Sequence, residues 1–179
     1  MKRFGLIPLM PLFIMFVVTC LGAFGSWIMP HDPNAVDLST ALRPPFWQPK
    51  GSLTYILGTD AMGRDVVSRL IAGARISLIV ALLGIGFAGV LGSGLGILAG
   101  YLGGIVDTVI MRLVDIQMSI PALILAIVIA GAIGPGLTNV VIVITVVYWT
   151  WYARIIRGQT LSVKQGDFIL LAKVAGCGV

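Results

Sequence analysis

Charged residues are scarce in this chain of 179 residues. Lysine, arginine, aspartate and glutamate together make up 11% of it, whereas about a quarter of a soluble domain is charged. Hydrophobic residues reach 58%, compared with about 45–50% in soluble domains. This composition excludes an ordinary soluble domain and predicts an integral membrane protein.

The side chains that hold metals or carry out catalysis are equally sparse. His31 is the only histidine, and we expect it to be a solvated loop residue. The only cysteines, Cys20 and Cys177, are too far apart for a metal-ligand motif or a disulfide framework. No serine or cysteine has a base beside it. We therefore expect no catalytic residue, no metal site and no enzymatic activity.

Motifs for nucleotides are also missing. No G-x-x-x-x-G-K-[ST] sequence occurs, and the glycines of 84–96 lack the strand and the acidic residue of a dinucleotide site. The net charge of +5 is expected to mark the cytosolic flanks of membrane spans rather than a nucleic-acid site. The sequence thus predicts no cofactor and no nucleic-acid partner.

Long uncharged runs dominate the chain. Residues 6–29, 76–106 and 116–153 carry no charge, and a helix needs about 20 apolar residues to cross a bilayer. The turn-forming Gly134-Pro135-Gly136 divides the last run in two. The first run exceeds the roughly 7–15 residues of a signal-peptide core, which favours an uncleaved anchor. The predicted fold is an all-α polytopic transmembrane helix bundle with four spans.

The basic residues predict the orientation of the spans. Lys2 and Arg3 precede the first span, and the tail after the last span carries four cations and one acid. Because cations favour cytosolic flanks, both ends are expected in the cytosol, although the predicted outer segment also holds five cations. We divide the chain into a tail and first span (1–29), an extracytoplasmic segment (30–75), spans two to four (76–156) and a cytosolic segment (157–179).

The stretch 57–70, LGTDAMGRDVVSRL, concentrates charge in a chain with little of it. Its pairs Asp60/Arg64 and Asp65/Arg69 are four apart, the spacing of neighbours on a helix. A helix is predicted over 65–79 from its apolar periodicity. We expect Asp60 to be the N-cap of that helix and Asp65/Arg69 to be a surface pair.

Span two carries small residues at four-residue intervals, which predicts a surface for close packing of another helix. We call this set the small-residue ridge; it consists of Gly84, Ala88, Gly92, Gly96 and Gly100. Before span three, Arg112 and Asp115 are three apart and are expected to pair at the interface, with a gate or subunit contact as the alternative.

The last span ends in aromatic residues that are followed by basic residues. Trp149, Trp151 and Tyr152 precede two arginines and are typical of an anchor at the membrane interface. The tail beyond them has an apolar stripe at helical spacing, which must be buried on lipid, on the same subunit or on a partner. The stripe consists of Phe168, Ile169, Leu171, Ala172 and Ala175.

Four collinear stretches resemble the second of the two permease subunits of dipeptide, oligopeptide and nickel ABC importers, and imply a type I importer permease fold. They are LGTDAMGRDVVSRLIAGARISL (57–78), GYLGGIVDTVIMRLVDIQMSIPALILA (100–126), GPGLTNVVI (134–142) and WYARIIRGQTLSVKQGDFILLAKVAG (151–176). The signature residues in the first stretch are Gly58, Thr59, Asp60, Gly63, Arg64, Asp65, Arg69 and Arg75.

The resemblance implies a multi-pass protein of a prokaryotic inner membrane that imports nickel or di/oligopeptides. The implied partners are a homologous permease, two ABC ATPase subunits that hydrolyse ATP, and an extracytoplasmic substrate-binding protein. It also implies that Asp167, Phe168, Leu171, Ala172 and Gly176 form a coupling segment that docks on the ATPase, although Leu170-Leu171 replaces the usual Glu-Ala.

Members of this family continue through two further spans, so the chain is expected to be truncated at its C-terminal end. The alternative is a truncated, non-transporting scaffold or assembly protein whose tail helix lies on lipid.

Overall fold

The computed structural model describes residues 9–176, and this range contains six α-helices and no strand. The helices are α1 (Leu9–Ile28), α2 (Val66–Leu102), α3 (Gly104–Met118), α4 (Ala122–Ile133), α5 (Leu137–Lys164) and α6 (Asp167–Val174). The chain forms two compact units, one that ends at Ile79 and one that begins at Val80. The predicted all-α class is confirmed.

Three helices, α1, α2 and α5, are long and apolar enough to cross a membrane. Many of their large apolar side chains are exposed, for example Leu82 (71%) and Val90 (77%) on α2. Exposed apolar surface of this extent suits helices that face lipid. With 37 residues, α2 extends about 55 Å and is longer than the hydrocarbon core. The helix predicted over 65–79 and span two are therefore one continuous helix.

The third predicted span, residues 116–133, covers only the end of α3 and all of α4. The pair α3 and α4 has the length and composition of one span but is bent by 89°. Pro121 lies at this break with φ −54°, and its missing N–H suits the residue before the first turn of α4. Alone, the 12 residues of α4 reach only about 18 Å. The prediction of four spans holds when this bent pair counts as one.

The predicted domain boundaries at 75/76 and 156/157 fall inside α2 and α5. Both helices continue without a break through these positions.

In the first unit, α1 packs closely against the beginning of α2. A methyl group on Gly22 would lie 2.2 Å from Leu78 Cδ1, and one on Gly25 would lie 2.3 Å from Ile71 Cγ2. These glycines allow the two helices to approach more closely than larger residues would permit.

In the second unit, the small-residue ridge of α2 lies against α5. A methyl group on Gly92 would lie 2.2 Å from the backbone oxygen of Trp149. One on Gly96 would lie 2.6 Å from the backbone oxygen of Ala153. Both distances are far below van der Waals contact, so the two helix backbones touch where the ridge carries no side chain.

The other members of the ridge meet side chains of α5 or are buried. A methyl group on Gly84 would come within 2.8 Å of Ile144 Cγ2, and one on Gly100 within 2.7 Å of Thr160 Cβ. Ala88 is completely buried. The ridge therefore lies along α5 over most of the length of that helix.

The ridge yields a prediction with a control on the same helix. Gly92→Ala should lower the free energy of unfolding by about 1–3 kcal/mol, because the methyl group would overlap the α5 backbone. Gly94→Ala should leave it unchanged or raise it by up to about 1 kcal/mol, because nothing lies within 4 Å of its added methyl group. Denaturant titration in detergent micelles, followed by circular dichroism, measures both. Equal effects would contradict backbone contact at Gly92.

Candidate functional site

The charged stretch before α2 folds as a tight turn that caps this helix. Asp65 immediately precedes α2 and is almost completely buried. Its Oδ2 accepts hydrogen bonds from the backbone N–H of Ser68 at 3.0 Å and from the Ser68 hydroxyl at 2.6 Å. Asp65 is thus the N-cap of α2. The expectation that Asp65 pairs with Arg69 at the surface is wrong, because its carboxylate is turned inward to the helix end.

Asp60 takes the surface pairing instead. Its Oδ2 lies 2.8 Å from Arg64 Nε and 3.4 Å from Arg69 Nη1, and its Oδ1 accepts from the Met62 and Arg64 backbone. The prediction that Asp60 caps the helix is wrong, because it caps the preceding turn. Desolvation raises the pKa of Asp60, but hydrogen bonds from the backbone of Arg64 and Met62 and from the Arg64 side chain outweigh it and hold the pKa below its ordinary value.

Two signature glycines permit this turn. Gly58 and Gly63 have φ of +78° and +73°, where side chains are strained. A methyl group on Gly63 would also lie 1.7 Å from the backbone oxygen of Asp37. Between them, the buried Thr59 accepts a hydrogen bond from the Arg43 N–H at 2.9 Å and donates to the Thr40 carbonyl. Six of the eight signature residues therefore precede α2 in this turn. Arg69 lies in α2 and reaches back to Asp60, whereas Arg75 lies on the exposed surface of α2.

His31 packs against this turn. The sequence did not predict this contact. Its backbone N–H donates to Ser68 Oγ at 3.1 Å, its ring stacks on Tyr55, and its Nδ1 lies 3.5 Å from Asp65 Oδ2. Its Nδ1 is buried, so the expectation of a solvated loop residue is wrong. The Pro30-His31-Asp32 sequence contains no periodic pattern that would have indicated a contact with a residue more than thirty positions away.

In the second unit, two arginines of α5 reach carboxylates of α3. Arg157 forms a bidentate ion pair with Asp107, with Nη2 and Oδ2 2.6 Å apart, and Arg154 pairs with Asp115. The expected partner of Asp115 was Arg112, three residues away on the same helix. That expectation is wrong, because α5 brings Arg154 to the carboxylate.

A third polar contact joins α3 to α5. The Gln117 amide donates to the backbone oxygens of Val146 at 2.6 Å and Val147 at 3.2 Å, and its oxygen accepts from Trp149 Nε1 at 2.9 Å. Trp149 was expected only as an interface anchor. Its hydrogen bond shows that it also holds α3 just before the 89° bend.

The predicted coupling residues lie at the end of the second unit. Asp167 begins α6, and Phe168 (63%) and Leu171 (69%) are mostly exposed. Ala172 is half-buried, and Gly176 follows the helix with φ of +83°. Within residues 9–176, no group of three histidine, cysteine, aspartate or glutamate side chains could hold a metal ion.

Known proteins resemble this chain over much of its length. Residues 92–179 match the family described as binding-protein-dependent transport system inner membrane component. A probable D,D-dipeptide transport system permease of Escherichia coli K12 is 40% identical over 91% of this chain and 53% of its own length. Residues 92–179 belong to this family.

Other members of this permease family show the same degree of similarity. A dipeptide transport system permease of Haemophilus influenzae is 37% identical over 96% of this chain and 58% of its own length. A nickel transport system permease of Escherichia coli K12 is 38% identical over 93% of this chain and 58% of its own length. The chain spans about half the length of the curated relatives it matches.

The Asp65 cap predicts a pH-dependent stability. Desolvation raises the pKa of Asp65, but hydrogen bonds from the side chain and backbone of Ser68, together with the nearby His31 ring, outweigh it and lower the pKa below 3.8. A lowered folded-state pKa stabilises the fold above pH 3.8, and this contribution is lost as the pH falls through the folded-state pKa.

At pH 7, Asp65→Ala should therefore lower the free energy of unfolding by about 1–3 kcal/mol, and its difference from the wild type should shrink below pH 3.8. The exposed Asp32 provides the control, and Asp32→Ala should stay within about 0.5 kcal/mol. Denaturant titrations between pH 7 and pH 3 measure both. A difference for Asp65→Ala that does not change with pH would contradict a charged cap.

The ion pair between α3 and α5 predicts rescue by charge exchange. Asp107→Arg should destabilise the protein by about 1–3 kcal/mol, because it removes charged hydrogen bonds and sets two cations together. The double variant Asp107→Arg/Arg157→Asp should recover a large part of this loss.

The Asp115/Arg154 pair is the matched control, and its disruption should cost less than about 1 kcal/mol, because both side chains are half-exposed. Free energies of unfolding for the single and double variants complete the cycle. Additive losses in the Asp107/Arg157 cycle would exclude a direct interaction.

Proposed function

We propose that this chain forms part of a permease subunit of an ATP-driven importer. With a homologous permease it would line a pathway across the inner membrane of a prokaryote, with its N-terminus in the cytosol. Two separate ATPase subunits would hydrolyse ATP, and an extracytoplasmic binding protein would deliver the substrate. The main support is the similarity to named transport permeases over more than nine-tenths of the chain.

The exposed face of α6 supports the proposed coupling role. Phe168, Leu171 and Val174 are 63%, 69% and 87% exposed, on a helix that also carries Asp167 in its first turn. A helix of eight residues is too short to be stable on its own, so it requires packing against another surface. In the proposed orientation, α6 follows the cation-rich end of α5 on the cytosolic side. An ATPase groove there would bury the apolar face.

The three-way attachment of α5 supports transmission of movement from α6. Helix α5 contacts α2 through the ridge and α3 through Gln117 and Arg157, and it also contacts α4. Only Gln165 and Gly166 separate its end from α6. A displacement of α6 would therefore act first on α5, and through α5 on α2, α3 and α4.

We propose nickel or di/oligopeptides as the transported substrate. The relatives carry the names of D,D-dipeptide, dipeptide and nickel transport permeases at nearly equal identity. Identity this even does not separate the two substrates. We propose that the binding protein makes the main selection and that this chain contributes a common pathway.

Co-purification with the cognate ATPase tests the coupling role. Phe168→Asp should reduce ATPase recovery at least fivefold, because a charge on the apolar face cannot be buried without a partner. Gln165→Asp adds the same charge to an exposed residue before α6 and should leave recovery unchanged.

Undiminished recovery with Phe168→Asp would refute the docking role. If α6 instead bound to liposomes and recovered no ATPase, the alternative of a non-transporting scaffold or assembly protein would be favoured, because an amphipathic helix can also bury its apolar face in the membrane interface.

A further inference from the structure

A groove of about 460 Å³ lies where α2, α5 and α6 come together. Its walls are almost entirely apolar, with Ile97 on α2, Ile156 and Val163 on α5, and Ile169 on α6. Tyr101 and Lys164 also line it, close to the ends of α2 and α5. The groove thus combines a long apolar surface with one cation near the helix ends.

Lys164 is held in place at the groove. Its Nζ donates to the backbone oxygen of Tyr101 at 2.7 Å and lies 5.7 Å from the centre of the Tyr101 ring. An ammonium group has three N–H donors, so two remain for a ligand after the bond to Tyr101. The contact with Tyr101 therefore orients the cation without consuming its hydrogen-bonding capacity.

The two arginines of α5 have carboxylate partners. Arg154 pairs with Asp115 and Arg157 with Asp107. Among residues 9–176, no carboxylate lies within 4.0 Å of Lys164 in an ion pair. Among the three cations of α5, Lys164 is therefore the one whose charge an external anion could complement.

We propose that this groove binds one anionic phospholipid, with an acyl chain along the apolar walls and the phosphate at Lys164. Basic residues at the ends of membrane helices bind anionic headgroups, and tyrosine is typical of the same interface. A partner helix could cover the apolar walls, but an apolar helix face would leave Lys164 without an anion. The proposal of a bound lipid does not depend on the transported substrate or on the ATPase.

Native mass spectrometry of the full chain, released from detergent and titrated with phosphatidylglycerol or phosphatidylcholine, tests the site. Lys164→Gln should weaken phosphatidylglycerol binding about fivefold and leave phosphatidylcholine binding unchanged, the size expected for one lysine near a headgroup. Lys164→Arg should retain the affinity. Lys50→Gln removes an exposed cation from the segment between α1 and α2 and should have no effect.

A second variant tests the apolar part of the groove. Val163→Trp should fill it and weaken phosphatidylglycerol binding, whereas Leu82→Trp, at an exposed position of α2 away from the groove, should not. Helix content from circular dichroism identifies any variant that has lost its fold.

Four results would overturn the proposal. Unchanged binding in Lys164→Gln would remove the headgroup contact, and weaker binding in Lys164→Gln with no effect of Val163→Trp would indicate surface attraction alone. Competition by glycerol 3-phosphate at the same concentration as the lipid would identify a site for free phosphate. Equal affinity of the wild type for both lipids would show that the groove does not select an anionic headgroup, and would favour a protein partner as its occupant.

Discussion

Direct contact between the backbones of α2 and α5 is the constraint on which the second unit depends. It exists only because the ridge carries hydrogen atoms instead of side chains opposite Trp149 and Ala153. In a membrane, close packing of this kind replaces the hydrophobic effect as the main source of helix association. Once α5 is held in this way, its remaining surfaces meet α3 and α4, and its arginines come within reach of Asp107 and Asp115.

The polar contacts of this bundle follow from the cost of unpaired polar groups near a membrane. Gln117 forms three hydrogen bonds, two of them to backbone oxygens of α5, and the two arginines of α5 each reach a carboxylate of α3. An unpaired group in such surroundings costs more than the pair contributes, so these contacts specify which helices are neighbours more than they add stability. Lys164 differs from the arginines in having a carbonyl and an aromatic ring as its partners.

The turn before α2 shows where sequence reasoning fails. Both aspartates have the spacing for pairing with an arginine four residues later, and both can cap a helix. The residue three positions later distinguishes them: Gly63 follows Asp60, and Ser68 follows Asp65. The positive φ of Gly63 closes a tight turn, whereas Ser68 supplies an N–H and a hydroxyl to a helix cap. Ser68 was therefore the residue in the sequence that could have identified Asp65 as the helix cap. Nothing in the sequence indicated the contact with His31.

Composition and periodicity alone determined the membrane class, the helical spans, the division at Gly134-Pro135-Gly136 and the small-residue ridge, because each is a local property of consecutive residues. Tertiary structure decided the 89° bend between α3 and α4, the choice of α5 as the partner of the ridge, and the pairing of Asp107 with Arg157. These features depend on the rotation and axial position of one helix against another. Many side chains determine that register together, and no single stretch of the sequence contains it.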